Sequence, residues 1–247
     1  MALSETEALV LRTYNLAEAD KIVVCLTHSS GLIRGVAKGC RRLKNRFGAA
    51  LEPFTLLQLS FYQKENKELV SLGQTEILRS HFNLFRDAET LAGLSYMADL
   101  IIDFSPPYQK NEKLFRMLKA CLEAVAVAPA DMEMIQRYFE VWLLKLEGFL
   151  PDIKLCGECQ RPFNDAEISF MGSDLQLRCR TCSHGQGTPL SGKVQRQLRA
   201  TQKLGPNAFA DASHEVSPVI MREIGDLTHQ LIGRVLEREP RLRPSYR

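Results

Sequence analysis

Of the seven cysteines in this chain, four form two matched pairs, Cys156-Gly-Glu-Cys159 and Cys179-Arg-Thr-Cys182, with nineteen residues between them. Two Cys-x-x-Cys knuckles at this separation can bring four thiolates to one point and complete a closed tetrahedral zinc site. Such a site keeps no open position for water or substrate, so its chemistry is structural. The alternative for the same residues is a pair of disulfides. Nothing marks the chain as secreted, which favours free thiolates in a reducing compartment. His184 is either a substitute fourth ligand or an ordinary loop histidine beside the site.

The segment between the knuckles must position those thiolates. Ile168 and Phe170 alternate with polar neighbours, as do Leu175 and Leu177, and Gly172-Ser173-Asp174 separates the two runs. This pattern predicts a short β-hairpin. The hairpin is too small to bury a core, so metal binding would supply much of its folding free energy.

A second group of residues suited to chemistry is the run Lys38-Gly-Cys-Arg-Arg-Leu-Lys-Asn-Arg46, in which five of nine residues are basic and none is acidic. Lys38, Arg41, Arg42, Lys44 and Arg46 suit phosphate contacts, since a guanidinium can engage two oxygens at once. Phe47, Phe61 and Tyr62 are candidates to stack on bases, with the barrel core as their alternative place. The plainer reading of the run is a solvated loop. Its setting argues otherwise, because it interrupts a strand pattern where loops commonly carry binding residues.

That strand pattern fills residues 1–80. Residues 8–13, 21–27, 32–37, 54–62 and 68–77 read as five short strands with glycine-bearing turns and no long helix. A closed barrel of the OB type is the natural architecture. Helical spacing then takes over. Asp87, Asn111 and Asp131 are placed to cap three helices, carrying Leu91, Leu94, Ala98 and Ile101, then Leu114, Phe115, Leu118, Leu122 and Val125, then Ile135, Phe139, Trp142 and Leu146. Pro106-Pro107, Pro129 and Gly148 stop them. Ser191 caps a further helix bearing Lys193, Arg196, Arg199 and Lys203, which share about a third of the wheel at about 100° per residue. This basic face, with Arg178 and Arg180 near the third cysteine, is a candidate second phosphate surface. Its alternative is a solubilising face. Ser217-Pro218 opens a last helix reaching Val235.

The predicted organisation is therefore multidomain: an N-terminal OB-fold β-barrel (1–80) followed by an all-α bundle carrying a four-cysteine zinc-binding hairpin. The bundle occupies 81–152 and 189–238, the zinc segment 153–188 and a basic tail 239–247. The chain has 247 residues, 45% of them hydrophobic, and a formal charge of only +3, so an anionic partner is argued from charge clusters and not from the total. No signal peptide or membrane-length apolar run is present, which predicts a cytoplasmic protein with no membrane partner. Phosphate-loop, dinucleotide-binding and His-Glu-x-x-His motifs are absent, and no His-x-Glu triplet precedes the cysteines as a zinc deaminase would require. A non-catalytic binding protein is the expectation.

The order of these parts resembles the RecO family of recombination mediators. The resemblance rests on Gly35-Val-Ala-Lys-Gly39 with its basic continuation, Ala50-Leu-Glu-Pro-Phe54, Gly148-Phe-Leu-Pro-Asp152 and the four cysteines. It implies a bacterial DNA repair protein that binds single- and double-stranded DNA and anneals complementary strands. It implies as partners RecR and the acidic C-terminal tail of single-stranded DNA-binding protein, and through them the loading of RecA. It places DNA on the barrel and on Lys38, Arg41, Arg42, Lys44 and Arg46. The competing readings are a zinc-ribbon RNA-binding factor and a structural adaptor scaffolded by zinc.

Overall fold

β1 (Ala2–Leu16) is the longest strand of the chain and closes the N-terminal sheet on itself. Its first half pairs antiparallel with β4 (Leu56–Gln63), and Ala8 to Leu16 pair antiparallel with β2 (Asp20–Thr27). β2 pairs with β3 (Gly31–Ala37), β3 meets β5 (Val70–Arg79) in one short parallel contact, and β5 returns to β4. The resulting order, β1-β2-β3-β5-β4, is a closed barrel of the OB type. The computed structural model from which this is drawn describes residues 2–63, 68–164 and 166–237. The predicted basic tail, 239–247, lies outside them.

All five expected strands are present. β1 reaches further towards the N-terminus than its apolar core of residues suggests, because cross-strand pairing of Leu3 to Glu7 with β4 overrides their weak strand propensity. A register irregularity between Val10 and Arg12 lets β1 bend from one partner to the other.

The middle of β1, the end of β2 and the start of β3 are buried on both faces. Ala8, Val10, Val23, Cys25 and Ile33 join Leu57, Leu59, Phe61, Val70 and Leu72 in the interior. The intervening Leu9, Leu11, Val24, Leu26 and Leu32 are buried as well, on the outer side. Two helices cover them: α1 (Ala88–Phe104) lies against β1 and α2 (Glu112–Val127) against β2. Asp87 and Asn111 cap these helices as expected, accepting from the backbone N–H groups of Thr90 at 2.7 Å and Leu114 at 3.1 Å. Arg12 pairs with Asp99 of α1 at 2.5 Å, and Glu7 with Lys119 of α2 at 3.4 Å. Between the helices the chain returns to the barrel, where Tyr108 N donates to the Leu32 carbonyl at 3.0 Å. A Cβ on Gly31 would sit 2.0 Å from the Gln109 carbonyl oxygen, so this close approach requires glycine. By their packing, α1 and α2 form one compact unit with the barrel, which extends to Pro129. α1 and α2 belong with the barrel because they cover its apolar outer face.

The second unit begins at Ala130. Its central helix is α3 (Met132–Leu146), which packs against the later helices α5 (Gly192–Thr201), α6 (Pro206–Ser213) and α7 (Pro218–Val235). The cysteine segment between α3 and α5 contains β6 (Ile168–Met171), β7 (Gln176–Cys179), the single turn α4 (Arg180–Ser183) and β8 (Thr188–Leu190). These strands form a three-stranded sheet in the order β7-β6-β8. Leu175 belongs to the hairpin turn, with φ of 57°, and not to the strand. β8 and α6 were not anticipated: one is a three-residue edge strand containing proline, the other a short helix started by Pro206. Asp131 precedes α3 but makes no side-chain cap; its carboxylate pairs with His214 at 3.0 Å. Trp142 is half-buried and donates its indole N–H to the Thr201 carbonyl at 2.7 Å.

At the α3–α7 contact, Glu140 is fully buried and accepts two hydrogen bonds from Arg137, at 2.8 and 2.9 Å. Gln136 donates to it at 3.0 Å and the Thr228 hydroxyl at 2.6 Å. Among the described residues no helix is long and apolar enough to cross a membrane. Removing one partner of a buried ion pair leaves the other charge uncompensated, at a cost of about 3–5 kcal/mol. Glu140→Ala is accordingly expected to lower the stability of the second unit by about that amount. Denaturant unfolding of the full chain followed by Trp142 fluorescence, the chain having one tryptophan, measures it.

Candidate nucleic-acid interface and metal centre

The four cysteines of the two knuckles converge. Their Sγ atoms all lie within 4.8 Å of one another, with Cys159 and Cys179 at 3.9 Å. A tetrahedron with metal–sulfur bonds of about 2.3 Å has sulfur–sulfur edges of about 3.8 Å, whereas a disulfide needs about 2 Å. The arrangement fits one metal ion held by four thiolates. His184 is exposed, ends α4 with a positive φ of 50°, and is not part of the group.

Local backbone geometry accounts for the convergence. In the first knuckle Gln160 N donates to the Cys156 carbonyl at 3.0 Å, and Gly157 N donates to Leu177 of β7 at 2.8 Å. A Cβ on Gly157 would lie 2.2 Å from the Gln176 side-chain oxygen, so glycine lets the first knuckle approach β7 without displacing that side chain. The second knuckle starts at the last residue of β7 and turns through α4. Burial pushes the Cys156 thiol up, but N–H groups of Cys159, Cys179 and Glu158 outweigh it and bring it down to about 6. Hydrogen bonding with the Cys159 and Cys179 thiols pushes Cys182 up to about 12. Cys25 and Cys121 are core residues whose thiols burial pushes up, Cys25 to about 12, as expected for inert groups.

The basic run leaves β3 and forms an ordered loop on the barrel. Gly39 N donates to the Asp20 carboxylate at 2.7 Å, Arg41 N to the Ala19 carbonyl at 3.0 Å, and Arg42 N to the Gly39 carbonyl at 3.1 Å. The Asn45 side chain accepts from Phe47 N and Gly48 N, both at 2.9 Å, and donates to the Arg42 carbonyl at 3.0 Å. Lys38, Arg41, Arg42, Lys44 and Arg46 are all exposed, and among the described residues no carboxylate pairs with them. Arg46 is the most constrained of the five. Its guanidinium donates to the Leu72 carbonyl at 2.9 Å and lies 4.8 Å from the centre of the Phe47 ring.

The proposed stacking aromatics divide. Phe47 and Phe61 are buried in the barrel core and offer no face to a base; Tyr62 is 40% exposed on β4. Burying Phe47 stabilises the loop anchor by about 1.5–3 kcal/mol, which keeps it inside. Arg34, which the sequence reading did not single out, is a further exposed cation on β3 between the buried Ile33 and Gly35.

On the second unit, Lys193 and Arg196 are exposed on α5 and Arg199 is half-buried, while Lys203 lies beyond the end of the helix. Arg196 and Arg199 are engaged within the protein. Arg178 is bound to Glu158 at 3.0 Å and Asp174 at 2.5 Å, so it braces the knuckles and does not extend a phosphate surface. A groove of about 450 Å³ runs between the two segments, lined by Lys154, Leu155 and Pro162 beside the first knuckle and by Arg199, Gln202 and Lys203.

A closed five-stranded barrel of the OB type with a cationic loop, joined to a helical unit with a four-thiol centre, defines a multidomain protein of the OB-fold class. Comparison with known proteins is specific. The family model described as Recombination protein O N terminal matches residues 1–81, and that described as Recombination protein O C terminal matches residues 86–244. The chain is 36% identical over 163 residues to the DNA repair protein RecO of Koribacter versatilis (strain Ellin345), covering 66% of each chain. It is 30% identical over 217 residues to that of Anaeromyxobacter sp. (strain K), covering 87% of this chain and 84% of the relative. With that of Dehalococcoides mccartyi (strain ATCC BAA-2266 / KCTC 15142 / 195) it shares 28% identity over 239 residues, 96% and 92% of the two chains. The chain belongs to the RecO family of DNA repair proteins.

If four thiolates hold the metal, loss of one should release it. Cys156→Ser and Cys179→Ser are each expected to lose bound metal and unfold the three-stranded sheet, while the first unit keeps its melting transition. Elemental analysis of the purified variants, with circular dichroism alongside, measures both.

Proposed function

We propose that this protein is a recombination mediator that binds single- and double-stranded DNA through the loop from Lys38 to Arg46 and anneals complementary strands. With RecR, it helps load RecA onto DNA coated by single-stranded DNA-binding protein. The observation that carries the reading is the ordered loop itself, five exposed cations fixed on a closed barrel with no carboxylate paired to them among the described residues. Cations carried on a loop whose backbone is already ordered engage phosphates without a further loss of backbone entropy. No covalent step is needed. Neutralising phosphates on two strands lowers their repulsion and raises their effective concentration, so pairing nucleates.

The metal of the four-thiol centre is zinc, since soft thiolates in a closed tetrahedral set suit it and no ligand position is left open. When bound, it supplies folding free energy to a sheet too small to sustain itself. The partner tail, acidic and apolar-ended, suits the groove between the first knuckle and the end of α5. Leu155 and Pro162 offer apolar surface, and Lys154, Arg199 and Lys203 offer positive charge. The assembly works in the cytoplasm of a bacterium, without enzymatic activity of its own.

Two measurements test these placements. Arg41→Ala/Arg42→Ala should weaken DNA binding about equally for every sequence and reduce the slope of log affinity against log salt by about one unit per lost contact. An unchanged slope in the folded double variant would move DNA off this loop, with Lys193, Arg196, Arg199 and Lys203 next to be tested.

A peptide ending in acidic residues and Pro-Phe should bind the full chain less tightly as salt rises. Lys154→Glu/Lys203→Glu should weaken it at least tenfold by fluorescence anisotropy. Wild-type affinity in that variant would place the tail elsewhere.

A further inference from the structure

The loop from Lys38 to Phe54 sorts its large apolar side chains with one exception. Phe47, Leu51 and Phe54 are buried, and Cys40 packs partly buried against the barrel core. Leu43 is 105% exposed, the most exposed large hydrophobic residue of the described chain. A single exposed leucine is ordinary on a protein surface. Three features of its setting set this one apart.

First, Leu43 sits at the tip of a loop anchored on both sides, by Cys40 and the Gly39–Asp20 bond before it and by Phe47 and the Asn45 bonds after it. The Asn45 side chain, bonded to the Arg42 carbonyl at 3.0 Å, spans the tip and holds its turn. The leucine is therefore presented to solvent by a fixed backbone. Second, its neighbours are Arg41, Arg42 and Lys44, all exposed. No acidic residue occurs between Asp20 and Glu52, and Asp20 is occupied by Gly39. The side chains flanking Leu43 in the loop are thus cationic, and the complement of that run is a polyanion. Third, of the candidate stacking aromatics Phe47 and Phe61 are inside the barrel, and the exposed Tyr62 lies on β4 and not on this loop. The exposed large apolar side chain that the loop itself offers to bases is Leu43.

We propose that Leu43 is a wedge that enters between adjacent bases of the DNA strand whose phosphates Arg41, Arg42 and Lys44 hold. The inference rests on the DNA-binding reading of the loop and adds to it what the apolar residue does. Proteins that grip a backbone with cations use apolar side chains in this way to unstack a base step. An aliphatic wedge has no hydrogen-bonding edge, so it acts on any sequence, as a strand annealer requires. Bases parted at the tip expose their pairing edges to a complementary strand.

The test uses the full chain and a single-stranded oligonucleotide carrying 2-aminopurine, whose emission rises when its base is unstacked. Wild-type protein should raise the emission on binding. Leu43→Ser should abolish most of that rise at saturating protein, weaken binding by about tenfold and slow annealing, while leaving the salt slope unchanged, since no cation is lost. Leu43→Met should restore the rise. Because the side chain makes no core contact, both variants should melt as wild type.

An undiminished rise in Leu43→Ser overturns the wedge, whether or not affinity falls, because leucine would then touch DNA without entering the stack, or serve a protein partner. The salt slope separates this failure from failure of the underlying reading. If Arg41→Ala/Arg42→Ala keeps the wild-type slope, the loop does not hold DNA and the wedge falls with it.

Discussion

Closure of the barrel by β1 is the constraint on which the first unit depends. One strand of fifteen residues serves two partners, β4 along its first half and β2 along its second, with the Val10–Arg12 irregularity turning it between them. Closure satisfies the edges of the sheet. It also encloses a core into which the loop after β3 can send Phe47, Ala50 and Leu51. Without that interior the basic run would have nothing to anchor to. Its cations would then be an average over many conformations, and binding would have to supply the ordering entropy.

The four-thiol centre solves the opposite problem. Three strands of three or four residues have little apolar surface to share, although Ile168, Phe170, Leu177 and Leu190 are buried among them. Four coordinated thiolates would add the missing cohesion at one end. The Gly157–Leu177 bond and the Arg178 pairs with Glu158 and Asp174 hold the knuckles in register. The consequence reaches beyond the sheet, because Lys154, Leu155 and Pro162, which form one wall of the groove beside α5, flank the first knuckle. Loss of a metal from the cysteines is therefore expected to disturb that groove as well.

Much of this was legible in the residues. Two knuckles at matched spacing announced a cluster of four thiols able to hold a metal, because cysteines with two residues between them form a chelating turn whatever surrounds them. Gly31, the Ser191 and Ser217 caps and the glycine-bearing turns marked element ends for equally local reasons. Helical faces through Leu94, Ala98 and Ile101, or Ile135 and Phe139, followed from a period that packing merely used.

Tertiary structure decided the rest. The unbroken apolar runs of β1 and β2 carried a clue that these two strands are buried on both faces there, but only the packed chain shows that α1 and α2 cover them. Whether Phe47 faces bases or core, whether Asp131 caps a helix or pairs with His214, and whether Arg178 meets phosphate or braces a knuckle are choices between partners distant in sequence. A sequence determines local conformation through short-range sterics and hydrogen bonding. Which of several suitable partners a side chain takes depends on what long-range packing brings within reach, and Leu43 stands exposed because it brings nothing.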